Sequence, residues 1–163
     1  MRSFEYAKKP GTEENQFNDA KLPEYSTKNA AGADFFAAED TEIPSIWSNE
    51  WPNNEPKPVL VHTGIKANMN PDEVLEIYNR SSNPIKLGLV LANSVGIIDA
   101  DYYNNPKNDG EIMFAYYNFS RTSVTIHKGD KIGQGIFKKF ERPEIGYINT
   151  ETERTGGFGS TGR

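Results

Sequence analysis

Ser123-Val124-Thr125-Ile126-His127-Lys128-Gly129-Asp130-Lys131-Ile132-Gly133-Gln134-Gly135-Ile136-Phe137 reads as two short runs rich in β-branched residues on either side of a Lys-Gly-Asp turn. Such residues suit a pleated, half-buried surface, and neither run has the length or the 3.6-residue spacing of an amphipathic helix. Upstream, Glu111–Tyr117, Val74–Tyr78 and Val59–His62 read the same way. Strands this short and closely spaced predict an all-β sandwich or jelly roll. One short helix is expected over Asn83–Leu87, after the Ser-Ser-Asn-Pro start. Two stretches interrupt the pattern. Residues 44–58 hold prolines at 44, 52, 56 and 58 with Trp47 and Trp51 between them, so regular pairing is not expected there. Tyr103–Gly110 is a polar loop.

The 163 residues, 36% hydrophobic and 25% charged, suit one domain of about 1–153 followed by a tail. No apolar run approaches the roughly 18 residues of a membrane span, and the first residues lack a signal-like apolar stretch, so a cytoplasmic location is expected. With no cysteine, disulfides and thiolate metal sites are excluded, and any metal must rest on oxygen ligands. A net charge of −5 argues against a nucleic-acid backbone as partner. Small phosphorylated ligands remain open, because a few local arginines suffice for them.

The tail, Arg154-Thr155-Gly156-Gly157-Phe158-Gly159-Ser160-Thr161-Gly162-Arg163, cannot hold a helix or packed strand, and is expected to be flexible. It carries an aromatic ring, hydroxyls, arginines and many backbone N–H groups. That chemistry suits a flap closing over a nucleotide, with the ring stacking on a base at roughly 1–3 kcal/mol.

Five segments, in order, resemble the motifs of the trimeric deoxyuridine triphosphatase (dUTPase) family: Ala31-Gly32-Ala33-Asp34-Phe35-Phe36-Ala37, Arg80-Ser81-Ser82, Asn93–Tyr102, Gly129-Asp130-Lys131-Ile132-Gly133-Gln134, and the tail. The resemblance implies a β-clip or distorted jelly-roll barrel with one short helix, assembled as a homotrimer whose sites are shared between subunits. It implies hydrolysis of dUTP to dUMP and pyrophosphate with Mg²⁺. Asp99 matches the catalytic aspartate, a base for the attacking water. Tyr102 matches a tyrosine beneath the deoxyribose that leaves no room for a 2′-hydroxyl. Asn93 and the hairpin backbone, Ile98 included, would meet the base. Arg80, Ser81, Ser82 and Gln134 would bind phosphates, and Asp34 would help hold the hydrated metal. In the flap, Phe158 would stack on uracil while Arg154, Gly159, Ser160 and Thr161 engage the phosphates.

Two departures stand out. The commonest third motif reaches its Gly-Glu pair one residue after the tyrosine, whereas here Tyr103 to Asp109 intervene before Gly110-Glu111; Arg154 also lies one residue closer to the Gly-Gly pair. The alternatives are a dCTP deaminase of the same fold, against which the full flap and the Asp99–Tyr102 segment argue, and a phage-type enzyme that also binds a regulatory protein through residues 44–58 or 103–109.

Overall fold

Antiparallel pairing organises the residues that the computed structural model describes, 1–49 and 51–143. The strands are β1 (Ser3–Tyr6), β2 (Ala33–Phe36), β3 (Thr41–Ile43), β4 (Val59–His62), β5 (Ile65–Asn68), β6 (Glu73–Asn79), β7 (Leu89–Leu91), β8 (Gly96–Asp99), β9 (Met113–Asn118), β10 (Val124–Ile126) and β11 (Lys131–Lys139). They form a four-stranded sheet in the order β2-β11-β6-β8, a three-stranded sheet β4-β9-β7, and the pairs β1-β5 and β3-β10. The fold class is the mostly-β, jelly-roll-like one expected from the sequence.

Aromatic side chains join the two larger sheets. Phe35 of β2 and Phe114 of β9 sit 5.6 Å apart, Phe4 closes on Phe35 edge-on at 5.3 Å, and Phe114 stacks near Tyr116 at 6.4 Å. Phe35 and Phe114 are fully buried, each worth about 1.5–3 kcal/mol of transfer free energy. The glycines flanking Gln134 make room for them: a Cβ on Gly133 would collide with the Phe114 ring, and one on Gly135 with Phe35 and Leu75. Strand alternation then turns Gln134 to the opposite face.

The turn at Lys128-Gly129-Asp130 forms as expected, with Asp130 N–H donating to His127 O (2.9 Å) and Gly129 at φ +85°. Its flanking strands do not pair with each other; β10 pairs with β3, and β11 with β2 and β6. The short helix falls on Asn83–Leu87, as a single wide π-type turn closed by left-handed Gly88. Two further single turns, Pro52–Asn54 and Ala100–Tyr102, are 3₁₀ and carry no hydrophobic period to reveal them. Residues 44–49 are pinned to the β9–β10 turn by Ile46 N–H to Asn118 O (2.9 Å) and Ser45 Oγ to Ser120 O (2.6 Å). Among the described residues no helix is long and apolar enough to cross a membrane. The expected flap, 154–163, lies outside the described residues.

Glu111 is buried and accepts from Gly64 N–H (2.9 Å) while its carboxylate sits 3.0 Å from His62 Nδ1. That hydrogen bond raises the His62 pKa above its usual 6.5, against the opposing effect of burial. A folded-state value above the unfolded one gives stabilisation that is complete below the unfolded pKa and is lost as pH rises through the folded one. We therefore expect wild type to exceed His62→Gln in unfolding midpoint most clearly below about pH 6.5, with the gap shrinking as pH rises above that. A gap that widens with pH in thermal unfolding would contradict the pairing.

Candidate active site

Strand β6 ends at Asn79, and Arg80 follows just beyond the sheet. Its guanidinium lies 3.7 Å from Asp34 Oδ1 and donates through Nη1 to the Lys131 carbonyl (3.3 Å). Asp34 is only 8% exposed on β2, where β11 passes beside it. Its Oδ2 accepts from Ser26 Oγ (2.5 Å) and Lys131 Nζ (2.8 Å). Burial pushes this carboxyl up, but the hydrogen bonds from Lys131 and Ser26, with the Lys131 and Arg80 charges, outweigh it and hold the group below its usual value. Asp34 is therefore an ionised anchor for two cations.

Gln134 is the register partner of both Asp34 and Tyr78, which puts it beside this knot. Gly32 is glycine for a local reason, since a Cβ there would come within 2.9 Å of Gln134 Oε1. A cavity of about 210 Å³ opens next to it, lined by Arg80, Ser82, Asn83, Asp130, Lys131 and neighbours. Ser81 is exposed at its approach. The first, second and fourth sequence motifs thus meet at one end of the four-stranded sheet. The chemistry gathered there, two cations with a hydroxyl and an amide, suits phosphate oxygens.

Asp99 lies elsewhere. It ends β8, opposite Val74 at the other end of β6. From Val74 to Arg80 is six residues, about 20 Å at roughly 3.3 Å per residue. Asp99 instead borders a separate cavity of about 480 Å³ with Glu73, Asp101, Phe140 and Arg142. Ile98 precedes it, paired with Leu75 and packed against the core. Gly96 must lack a Cβ because Ile77 occupies that space. Asn93 is exposed in the turn leading to β8.

Tyr102 is 6% exposed, so most of its ring packs within the chain. Its hydroxyl donates to Glu111 O (3.2 Å) and accepts from Asn108 Nδ2 (2.7 Å). Arg154, Phe158, Gly159, Ser160 and Thr161 lie outside the described residues.

The sequence reading gave Asp34 a share in holding a hydrated metal. Its carboxylate already faces an ammonium, a guanidinium and a hydroxyl, and among the described residues no group of three or more His, Asp or Glu is arranged to hold an ion. This donor set does not fit a cation bound by the chain alone. The sequence reading also missed Lys131 and Ser26. Lys131 stood inside the fourth motif and could have been picked out as its one cation, whereas Ser26 carried no local signal.

A protein-family model described as dUTPase matches residues 18–162. The deoxyuridine 5′-triphosphate nucleotidohydrolase of Lactococcus lactis subsp. lactis is 46% identical over 141 residues, covering 86% of this chain and 87% of that protein. Its counterpart from Rickettsia akari is 40% identical over 144 residues, covering 86% and 88%. The crystal structure of dUTPase from Streptococcus mutans matches with a TM-score of 0.71 at 39% identity, over 88% of this chain and 99% of that one. A dUTPase from phage phi11 of S. aureus, described with a structural Mg(II) ion, has a TM-score of 0.67 over 91% and 97%. At 19% identity it shows a shared fold alone.

Lys131→Met would leave a buried Asp34 oxygen without its ammonium. We expect a loss of about 1–3 kcal/mol in urea unfolding, with most of it recovered in the Asp34→Asn/Lys131→Met double variant. Equal losses in the single and double variants would show that the pair does not carry the effect.

Proposed function

The chain belongs to the dUTPase family, and from that premise we propose how its residues divide the reaction. It is a hydrolase that converts dUTP to dUMP and pyrophosphate. The reaction limits uracil in DNA and supplies dUMP for thymidylate synthesis. Acting on the nucleotide pool, the enzyme belongs in the cytoplasm.

The water oxygen attacks the α-phosphorus, the bond from that phosphorus to the bridging oxygen breaks, and pyrophosphate leaves with the bond's electrons. Asp99 orients the water and accepts its proton. Its contribution rests on position. Arg80, Ser81, Ser82 and Gln134, together with Lys131, hold the phosphates. Asp34 keeps Arg80 and Lys131 in place before substrate arrives, so little reorganisation is left to the reaction. Mg²⁺, when bound, would offset charge on the phosphates, and Asp34 is the carboxylate of this end of the sheet that would help hold its water shell. Asn93 and the Ile98 backbone meet the base, Tyr102 lies under the deoxyribose, and the segment containing Arg154, Phe158, Gly159, Ser160 and Thr161 closes over the nucleotide.

One observation carries this reading. Within a single chain the phosphate-binding end of β6 and Asp99 stand about 20 Å apart, on either side of the same strand pairing. No single triphosphate spans both while placing its α-phosphorus at Asp99. A site that uses both needs Asp99 from another copy, which supports sites shared between subunits; that the assembly is a homotrimer rests on the resemblance to the trimeric family.

Pyrophosphate release measured on dUTP, UTP, dCTP and dTTP tests the substrate, and we expect dUTP to be strongly preferred; preference for dCTP would overturn it. Asp99→Asn is expected to lose about 10²–10⁴ in turnover while still binding nucleotide. Removal of residues 154–163 should leave folded protein with greatly reduced turnover, and full activity in that truncation would reject the flap.

A further inference from the structure

The loop that separates Tyr102 from Gly110-Glu111 is built inward onto the tyrosine. Asn108, next to last in the loop, makes the contact. The Asn108 Oδ1 accepts from Gly110 N–H (3.2 Å), which turns the amide nitrogen toward Tyr102, where it donates to the hydroxyl at 2.7 Å. The hydroxyl spends its own proton on Glu111 O (3.2 Å). The far end of the ring is thereby held from two directions, once by the main chain and once by this loop.

The loop itself is tied down on its outer side. Gln16 Nε2 donates to the Asn108 carbonyl (3.0 Å), Lys8 N–H donates to Asp109 Oδ2 (2.7 Å), and Lys66 Nζ reaches the same oxygen (2.8 Å) and Asn104 Oδ1 (2.6 Å). Asn104, Asp109 and Gly110 all take positive φ, so the loop follows one particular path. These contacts tie the loop to three other parts of the chain, and Asn108 alone carries the restraint on to the Tyr102 hydroxyl.

We propose that Asn108 is a positioning residue for sugar discrimination: by fixing the Tyr102 hydroxyl, it sets the clearance that admits deoxyribose and rejects a 2′-hydroxyl. The proposal rests on the reading of Tyr102 as the residue beneath the sugar. Excluding one hydroxyl by contact tolerates little slack, and a displacement of about 1 Å at a reacting complex can change rates by orders of magnitude. A ring that loses the Asn108 amide has more room to swing.

The test is the ratio of kcat/KM for dUTP to that for UTP in wild type, Tyr102→Ala, Tyr102→Phe, Asn108→Ala and the Tyr102→Phe/Asn108→Ala double variant. Asn108→Ala is expected to lower the ratio about three- to tenfold, the range one neutral hydrogen bond carries, chiefly through faster UTP turnover. In the Tyr102→Phe background the same change should have no further effect. If the alanine variant does not fold, Asn108→Ser keeps an acceptor for Gly110 N–H, gives up the amide donor and should show the same fall. Equal losses on dUTP and UTP, or additive effects in the double variant, would reduce Asn108 to a structural role and overturn the proposal. A Tyr102→Ala enzyme that loses discrimination beside an Asn108→Ala enzyme that keeps it would overturn the proposal alone. Unchanged discrimination in Tyr102→Ala would overturn the reading of the sugar contact and this proposal with it.

Discussion

Strand β6 is the constraint on which the rest depends. Its antiparallel register with β11 and β8 is fixed residue by residue, from Gly133 opposite Asn79 to Asp99 opposite Val74. A one-residue slip would turn Leu75 and Ile77 out of the core and bring Glu76 and Tyr78 in. The register therefore sets the separation between the groups that bind phosphate and the carboxylate that directs water. Chemistry that needs both is pushed from the chain to the assembly.

At the phosphate end the balance of charge matters more than the number of cations. Asp34 is buried enough that an isolated carboxylate would resist ionisation, yet Lys131 and Arg80 keep it charged. In return it fixes two flexible side chains that would otherwise lose conformational freedom on binding. This pairing explains why a carboxylate stands among phosphate-binding groups without requiring it to hold a metal.

Much of the strand pattern was legible in the sequence, but unevenly. Val59–His62 and the helix at Asn83–Leu87 fall where read, because a run rich in β-branched residues and the Ser-Ser-Asn-Pro start are local signals. Strands β1, β2, β3, β5 and β7 were not separately read. They span three or four residues and exist because a partner strand is present. Residue types in the motifs pointed to phosphate, base and water chemistry. The Ser26–Asp34–Lys131–Arg80 knot did not show, since Lys131 and Asp34 lie 97 positions apart. Nor did the loop after Tyr102 reveal itself as more than a polar turn, because its anchors, Lys8, Gln16 and Lys66, belong to other parts of the chain.

The most direct test of the divided site is complementation. Arg80→Ala and Asp99→Asn subunits, each inactive alone, should be unfolded together, refolded as mixed assemblies and assayed for pyrophosphate release from dUTP. Sites that join Arg80 of one subunit to Asp99 of another would restore a substantial fraction of wild-type turnover. Mixed assemblies no more active than the two variants assayed separately would contradict the account.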